Sequence, residues 1–253
     1  MQSLATGLTN HRVAMDTSTY IALSGQFARD QEMAVLANNI ANMSTPGFKA
    51  ERMMFSEYLA NAPGGSRISY VTQAGNNHDM SEGPLTHTGN SLDVALSGEG
   101  WLAITTPAGT SYTRSGHFQL DPQGELVTSN GYQLQGDGGA PIVVPTGAGD
   151  VTISPDGTVS TRQGTLGHIP VVTFANPQLM TAEANNLYNT TEAPQPIKTT
   201  QVMQGTVEDS NLQPVLAITR LMNATREMTA VKNFGDAENT RLKTAIERLG
   251  KMV

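Results

Sequence analysis

The sequence predicts an α+β protein in which amphipathic helices at both chain ends flank a central antiparallel β domain. Residues 61–205 hold 20 of the 25 glycines and 11 of the 13 prolines, which is typical of a turn-rich β domain. The flanking residues 16–44 and 212–252 instead carry apolar side chains at helical spacing. We expect these two helices to pair in a coiled-coil-like layer.

The N-terminal helix is expected to span residues 16–44. This stretch has no proline, and Gly25 is its only glycine. Its apolar side chains form two sets, each with the three- and four-residue spacing of one helix face, and the phase slips between the sets near residues 30–31. The sets are Tyr20, Leu23 and Phe27, then Met33, Leu36, Ile40 and Met43. The helix should end before Pro46, because proline disfavours helical geometry in the residue that precedes it.

The C-terminal helix is expected over residues 212–252. Alternating steps of four and three residues give a heptad-like stripe through Ala217, Leu221, Ala224, Met228, Val231, Gly235, Glu238, Leu242, Ala245, Leu249 and Met252. Further apolar positions widen the stripe beyond a two-stranded seam: Ile218, Met222 and Ile246. Residue patterning leaves two arrangements open, a polymer built through both helices or an antiparallel helix pair that caps the β domain.

Strand and turn patterns fill the middle of the chain. In two segments apolar residues alternate with polar ones, which predicts strands with one buried face. The apolar positions are Phe118 and Leu120 in the first segment and Val151 and Ile153 in the second. Residues 121–124 (Asp-Pro-Gln-Gly) and 154–157 (Ser-Pro-Asp-Gly) suit type I turns closed by a left-handed glycine. Residues 130–131 (Asn-Gly) are a further hairpin signal.

Composition argues against several kinds of site. With no cysteine in 253 residues, neither a disulfide framework nor a thiolate metal site forms. The formal net charge is −7, and residues 61–205 hold four basic residues against eleven acidic ones. Nucleic-acid binding is therefore not expected, because it needs a clustered basic face. The first thirty residues show no cleavable signal peptide, and no segment predicts membrane insertion.

No catalytic constellation is predicted, and no cofactor or metal is expected. The five histidines, at positions 11, 78, 87, 117 and 168, show no helical pair and no carboxylate at metal-ligand spacing. Asp93, Glu99 and Asp121 are carboxylates that could sit together, but such acidic groups are frequent in an acidic domain. The chain is therefore expected not to be an enzyme.

Ordered motifs carry a resemblance to a known family. Residues 37–42 (Ala-Asn-Asn-Ile-Ala-Asn) and 44–49 (Ser-Thr-Pro-Gly-Phe-Lys) resemble the N-terminal signature of flagellar rod and hook proteins. Further motifs of the family follow in the expected order at residues 83–101, 112–121, 124–131, 174–177, 185–188 and 205–212. By this resemblance the chain is identified as a member of the flagellar basal-body rod family. Residues 20–27 and 53–59 resemble its proximal-rod branch more than its distal-rod branch.

The resemblance implies a division of the chain and a set of contacts. The expected segments are an unmatched extension (1–15), an N-terminal axial helix (16–45), a connecting segment (46–82), the central β domain (83–205) and a C-terminal axial helix (206–253). Subunit interfaces are expected at Leu36, Asn38, Asn39, Ile40, Asn42, Met43, Leu221, Met228, Leu242 and Leu249. A hinge where the helix leaves the inner tube is expected at Thr45, Pro46, Gly47 and Phe48.

Three asparagines near the end of the first helix need an explanation, because asparagine is a poor helix former. Asn38, Asn39 and Asn42 would cap a fraying helix end before Pro46 in one interpretation. In the other, their amides bond between neighbouring subunits and fix the helix register, as a core asparagine does in coiled coils. The family resemblance favours the second interpretation.

The function that the resemblance implies is structural. The chain would polymerise through its terminal helices into the hollow proximal rod, the axle that transmits torque for motility. Its partners would be itself, other proximal- and distal-rod proteins, and the flagellar export apparatus during secretion. It would lie in the periplasmic part of the basal body and be exported without a cleaved signal peptide. The alternatives are a distal-rod subunit, or a monomeric carbohydrate-binding or hydrolytic β protein.

Overall fold

The computed structural model describes residues 24–61 and 67–250. The chain divides into two compact units, which are described separately. The helical unit comprises residues up to 40, residues 51–77 and residues from 214 onward, and the β unit comprises residues 41–50 and 78–213. The extension expected over residues 1–15 and the first turns of the helix expected from residue 16 lie outside the described residues.

The helical unit holds two helices and a two-stranded sheet. Helix α1 covers residues 24–41 and gives way to turns that continue through residue 47. Its end confirms the prediction that helical geometry stops before Pro46. Strands β1 (Glu51–Asn61) and β2 (Arg67–His78) pair with each other within the segment that the sequence analysis treated only as a connection. Helix α2 spans Pro214–Gly250.

The start of α2 corrects one expectation. Residues 206–213 were assigned to the C-terminal helical segment, but Thr206–Glu208 form a strand that pairs antiparallel with Leu85–His87. The helix instead begins at Pro214. Proline suits this position, because the N–H groups of the first turn have no partner within the helix and the N–H that proline lacks is therefore not missed. None of the helices in the described ranges has the length and apolar character needed to cross a bilayer.

The β unit is made of short strands and tight turns. Its strands are β3 (Leu85–His87), β4 (Val94–Ser97), β5 (Trp101–Thr106), β6 (Gly109–Thr113), β7 (Phe118–Leu120), β8 (Leu126–Thr128), β9 (Gln133–Leu134), β10 (Thr152–Ile153), β11 (Thr158–Thr161), β12 (Gly164–His168), β13 (Val171–Thr173), β14 (Thr181–Ala182), β15 (Tyr188–Asn189), β16 (Gln195–Pro196), β17 (Gln201–Gln204) and β18 (Thr206–Glu208). A β-rich central domain between two helices confirms the α+β prediction.

Antiparallel pairing organises these strands into sheets. The largest sheet has the order β14-β15-β6-β5-β9-β8-β7. Off this order, β13 pairs with the first residues of β5, and β16 pairs with β13. Strands β10, β11 and β12 form a three-stranded sheet, while β17 pairs with β4 and β18 with β3. The main core includes Leu102, Ile104 and Leu134 of the large sheet and Ile153 and Val159 of the small one.

Three hairpin turns follow the predicted chemistry. Gly124 and Gly157 take left-handed φ values of 83° and 91°, and each N–H bonds the carbonyl three residues earlier, on Asp121 and Ser154. Gly131 has φ 80° and closes the β8–β9 hairpin. The predicted alternation holds at Val151 and Ile153, which are buried.

The predicted alternation fails at one position. Phe118 is 2% exposed and lies in the core, but Leu120, two residues further along the same strand, is 41% exposed. Leu120 is the last residue of β7 and directly precedes the Asp121 turn, although its cross-strand partner Leu126 is buried. Alternation along the chain therefore did not predict where the buried face of β7 ends.

Gly116 permits a close backbone approach that gives a test of this fold. A Cβ at residue 116 would lie 1.5 Å from the carbonyl oxygen of Val94, whose N–H bonds Gly116 O at 2.9 Å. Gly116→Ala should therefore lower the free energy of unfolding by about 3 kcal/mol, because backbone must move to admit the methyl group. Urea denaturation followed by Trp101 fluorescence measures this loss.

Gly167→Ala is the matched control. A Cβ at residue 167 would lie 3.7 Å from Ile142 Cγ1, an ordinary van der Waals distance. We expect this variant to change the free energy of unfolding by less than about 1 kcal/mol, since the methyl group enters available space. Matching denaturation midpoints for the two alanine variants would show that the Val94–Gly116 approach is not tight.

Candidate functional site

The chain enters and leaves the β unit at one place. The incoming residues 47–50 run beside the outgoing residues 206–211. Gly47 N donates to Glu208 O at 2.7 Å, and Asn211 N donates to Phe48 O at 3.3 Å. The family motifs at residues 44–49 and 205–212 are therefore neighbours in the fold. Their meeting point is the candidate functional site.

A buried ion cluster lies at this meeting point. Lys49 Nζ donates to Glu208 Oε1 at 2.6 Å, and Arg114 Nη1 donates to Glu208 Oε2 at 3.1 Å. The exposed fractions of the three residues are 0% for Lys49, 1% for Glu208 and 5% for Arg114. The two oxygens of the Glu208 carboxylate thus accept from two different cations, at a site with almost no exposure to solvent.

Backbone groups and one aromatic ring complete the cluster. Glu208 Oε1 also accepts from Gly83 N at 3.0 Å, and Lys49 Nζ also donates to Ser81 O at 2.7 Å. Arg114 Nη2 donates to the carbonyl of residue 98 at 2.8 Å, while its guanidinium lies 5.7 Å from the centre of the Trp101 ring. These contacts draw on the motifs at residues 83–101 and 112–121 as well. Four of the motifs that carry the resemblance therefore meet here, at residues 44–49, 83–101, 112–121 and 205–212.

The cluster carries more positive than negative charge. Burial lowers the pKa of Lys49 from its ordinary value, while the attraction and hydrogen bond of Glu208 act in the opposite direction. Arg114, as a second nearby cation, adds to the lowering. Arg114 Nε is buried without a hydrogen-bond partner among the described residues. A lone carboxylate therefore holds two desolvated cations, and loss of Glu208 would leave both without a buried counter-ion.

Asn211 connects three chain segments beside the ion cluster. Its Oδ1 accepts from Ala50 N at 2.8 Å, and its Nδ2 donates to Asp79 O at 2.7 Å and Ser81 O at 3.0 Å. One carboxamide thus satisfies backbone groups of the incoming segment and of the residues after β2. We name Lys49, Arg114, Glu208 and Asn211 together the buried clamp.

The predicted hinge residues form a packed turn against the β unit. Gly47 has a left-handed φ of 70°, and a Cβ there would lie 2.3 Å from Ser115 N. Pro46 O accepts from Asn186 Nδ2 at 3.3 Å, and Phe48 is buried. Thr45 N donates to Asn42 O at 3.1 Å, which closes the turn. Residues 45–48 therefore form a turn that packs against Ser115 and Asn186. A hinge role for this turn stays a prediction.

The predicted interface residues of α1 occupy different environments. Leu36 and Asn39 are buried, Ile40 and Asn42 are half-buried, and Asn38 and Met43 are exposed. Asn39 pairs with the backbone of Glu51 at the start of β1, accepting from its N–H and donating to its carbonyl, both at 2.8 Å. The amide of Asn39 thus bonds within the chain, while the intersubunit role of this set stays a prediction.

On α2, the structure describes only the first part of the predicted stripe. Ala217 and Ala224 are buried and Leu221 and Met228 are half-buried, all four at positions of the stripe. Arg29 of α1 forms an ion pair with Glu227 at 2.9 Å. The side chains of Leu242 and Leu249 lie outside the described residues, and their interface role stays a prediction.

The carboxylates considered for hydrolysis have structural contacts. Asp93 is buried and accepts from Thr88 Oγ1 at 2.6 Å, Asn90 Nδ2 at 3.0 Å and His117 Nδ1 at 2.8 Å. Asp121 Oδ1 accepts from the backbone N–H groups of residues 123 and 125 in its turn. Within the described ranges, no three or more His, Asp or Glu side chains are arranged to hold a metal ion.

The residues of the buried clamp lie inside the family motifs, but the sequence did not predict that they contact one another. One signal was available: Arg114 is one of four basic residues between positions 61 and 205. A basic residue that is rare in an acidic β domain can indicate an ion pair, because unpaired charge is costly to bury. Lys49 and Glu208 gave no comparable signal, since 159 residues separate them along the chain.

The lowered pKa of Lys49 predicts a pH dependence of stability. The folded chain binds the ammonium proton of Lys49 less tightly than the unfolded chain does. In the pH range where the unfolded chain still holds this proton and the folded chain has lost it, the free energy of unfolding should rise with pH. Relative to Lys49→Met, the wild-type chain should gain stability as pH rises towards 10.5, the ordinary lysine value, and then level off. Urea denaturation of both proteins from pH 7 to pH 11 measures this difference.

Lys198→Met serves as the control because Lys198 is exposed in the folded chain. The pH dependence for Lys49→Met is judged against that of this exposed-site variant. A difference for Lys49→Met that is flat, or one that falls with pH, would contradict the direction inferred for Lys49.

The chain is similar to known proteins along most of its length. Two protein families match parts of the chain: "Flagella basal body rod protein" over residues 20–49 and "Flagellar hook protein FlgE/F/G D1 domain" over residues 95–161. The flagellar basal-body rod protein FlgF of Caulobacter vibrioides is 37% identical over 244 residues, covering 94% of this chain and 100% of that protein.

Two further relatives cover most of the chain. FlgF of Rhizobium meliloti is 33% identical over 239 residues, covering 93% of this chain and 99% of that protein. The rod protein FlgG of Caulobacter vibrioides is 33% identical over 236 residues, covering 81% of this chain and 88% of that protein. Identity at this level along nearly the whole length shows common descent, and the chain belongs to the flagellar basal-body rod protein family.

Proposed function

We propose that the chain is a structural subunit of the proximal part of the flagellar basal-body rod. The observation that carries this proposal is the 37% identity to an FlgF along that protein's full length. Within the same organism, Caulobacter vibrioides, the FlgG protein matches a smaller share of this chain, 81% against 94%, at lower identity. This comparison supports the proximal-rod branch over the distal-rod branch.

Assembly through the terminal helices has support in the burial pattern of α1 and α2. Small or apolar residues are buried on both, including Ala28 and Leu36 on α1 and Ala217 and Ala224 on α2. The Arg29–Glu227 ion pair also favours a paired arrangement of the two helices. We propose that the pair forms the coiled-coil-like layer around the rod axis, with Leu36, Leu221 and Met228 contributing to subunit contacts.

Apolar side chains that remain exposed on α2 support contacts with further molecules. Val215 is 81% exposed, Ile218 43% and Met222 52%, and their spacing of three and four residues places them on one helix face. Isolated exposed apolar residues are ordinary, but three on one face form a continuous apolar surface at the start of α2. We propose that neighbouring subunits cover this face, namely other copies of the chain and other rod proteins.

The location and delivery of the chain follow from the same proposal. A rod subunit of the basal body would lie in the periplasm and reach it through the flagellar export apparatus. The Phe55–Leu59 segment, which resembles an export-gate motif, lies on strand β1.

An interface substitution on α2 tests the assembly proposal. Leu249→Asp should block rod assembly and motility while the β unit stays folded, because a carboxylate in a helix interface must lose water without gaining a partner. Each subunit in the polymer would carry the same defect. The measurement is swimming, together with recovery of the chain in isolated basal bodies, in cells that export equal amounts of variant and wild type.

Lys243→Asp is the control on the exposed side of the same helix. Its effect on stability should stay within about 0.5 kcal/mol, and motility should be retained. Equal motility in cells with Leu249→Asp and Lys243→Asp would refute the proposal that this stripe is an assembly surface. Absence of the wild-type chain from purified basal bodies would refute the rod function itself.

A further inference from the structure

The last segment of the β unit makes contacts with much earlier parts of the chain. We call residues 201–211 the strap. Its strand β17 pairs with β4, and its strand β18 pairs with β3. At the end of β17, Gln204 donates from Nε2 to Val151 O at 2.7 Å and accepts at Oε1 from Ile153 N at 3.2 Å. The strap therefore joins three separate regions of the unit.

The charges of the buried clamp depend on the strap. Glu208 meets Lys49 across 159 residues and Arg114 across 94 residues of sequence. Glu82 also lies near Lys49, but it is exposed and accepts from Gly98 N at 3.3 Å. Without the strap, two nearly fully buried cations would have no buried carboxylate, and a buried unpaired charge opposes the closed fold.

The apolar core near the strap depends on it in the same way. Strand β4 is among the most buried parts of the unit, with Val94, Ala95 and Leu96 at most 1% exposed. Val202 and Val207 of the strap are buried beside these early strands. Absence of the strap would expose the β4 edge and leave its N–H and C=O groups without partners.

We propose that the strap is a closing device, so that the β unit takes its folded form only when residues 201–211 dock. Whichever end of the chain is presented first, Lys49 and Glu208 meet only after almost the whole β unit is available. A chain that is only partly delivered would remain open and pliable. This use during export rests on the proposed rod function, whereas the docking order is a property of the isolated chain.

Refolding of the full chain tests the docking order. The chain is unfolded in urea, diluted to conditions where it is monomeric, and pulse-labelled by hydrogen exchange during refolding. We expect the amides of β4 and β5 to gain protection in the same kinetic phase as those of the strap. Protection of β4 and β5 in an earlier, separable phase would overturn the proposal, because the sheet would then close without the strap.

A pair of neighbouring substitutions isolates the charge contribution. Glu208→Gln keeps the size of the side chain but removes the negative charge, and it should slow the strap phase about tenfold. Asp209→Asn is the control, since Asp209 is half-buried and accepts from Thr86 Oγ1 at 2.6 Å outside the clamp. The control should refold close to the wild-type rate. Equal refolding rates for the two variants would overturn the role given to Glu208.

Two features keep the outcomes separable. If Glu208→Gln does not fold at all, the order of protection in the wild-type chain still decides the proposal. The labelling concerns one isolated molecule, whereas the rod function is tested by basal-body recovery in cells. A labelling result that contradicts the docking order therefore does not affect the proposed rod function. Absence of the chain from basal bodies, in turn, does not affect the proposal for the strap.

Discussion

The fold of the β unit depends on the carboxylate of Glu208. It lies between Lys49 and Arg114, at 2.6 and 3.1 Å, in a site with almost no access to water. Such a cluster adds little net stability over an apolar replacement, but removing one partner typically costs about 3–5 kcal/mol. Removal of Glu208 alone is therefore expected to destabilise the β unit, because Lys49 and Arg114 would stay buried without their shared carboxylate.

Carboxamide side chains support this arrangement by acting as substitutes for peptide groups. Gln204 accepts from the N–H of residue 153 and donates to the carbonyl of residue 151, as a neighbouring strand would. Asn39 does the same with Glu51, and Asn211 does so with Ala50 and Asp79. Each amide satisfies backbone groups where the chain changes direction and regular pairing stops. For Asn39, this contact accounts for a poor helix former near the end of α1.

The sequence predicted local features well and long-range ones poorly. The Asp121–Gly124 and Ser154–Gly157 turns were predictable because four adjacent residues decide their geometry. The pairing of Lys49 with Glu208 was not, since 159 residues separate them and each is ordinary in its own motif. Strand β18 was assigned to a helical segment because its pairing with β3 depends on residues about 120 positions earlier. The motifs therefore located the site, but their local patterns did not reveal its chemistry.

Burial differs between the two units in a way that bears on assembly. The β unit closes its core around Leu102, Ile104 and Val159, each 0% exposed. On α2, Ala217 and Ala224 are buried, but from residue 229 onward every side chain whose burial is described is exposed. An isolated helix gains most of its stability from packing of its apolar face, so this half of α2 should be only marginally helical in a free subunit. On the proposed assembly, ordering of α2 and its burial by neighbouring subunits would be one event, and a single charge in the C-terminal stripe would oppose both.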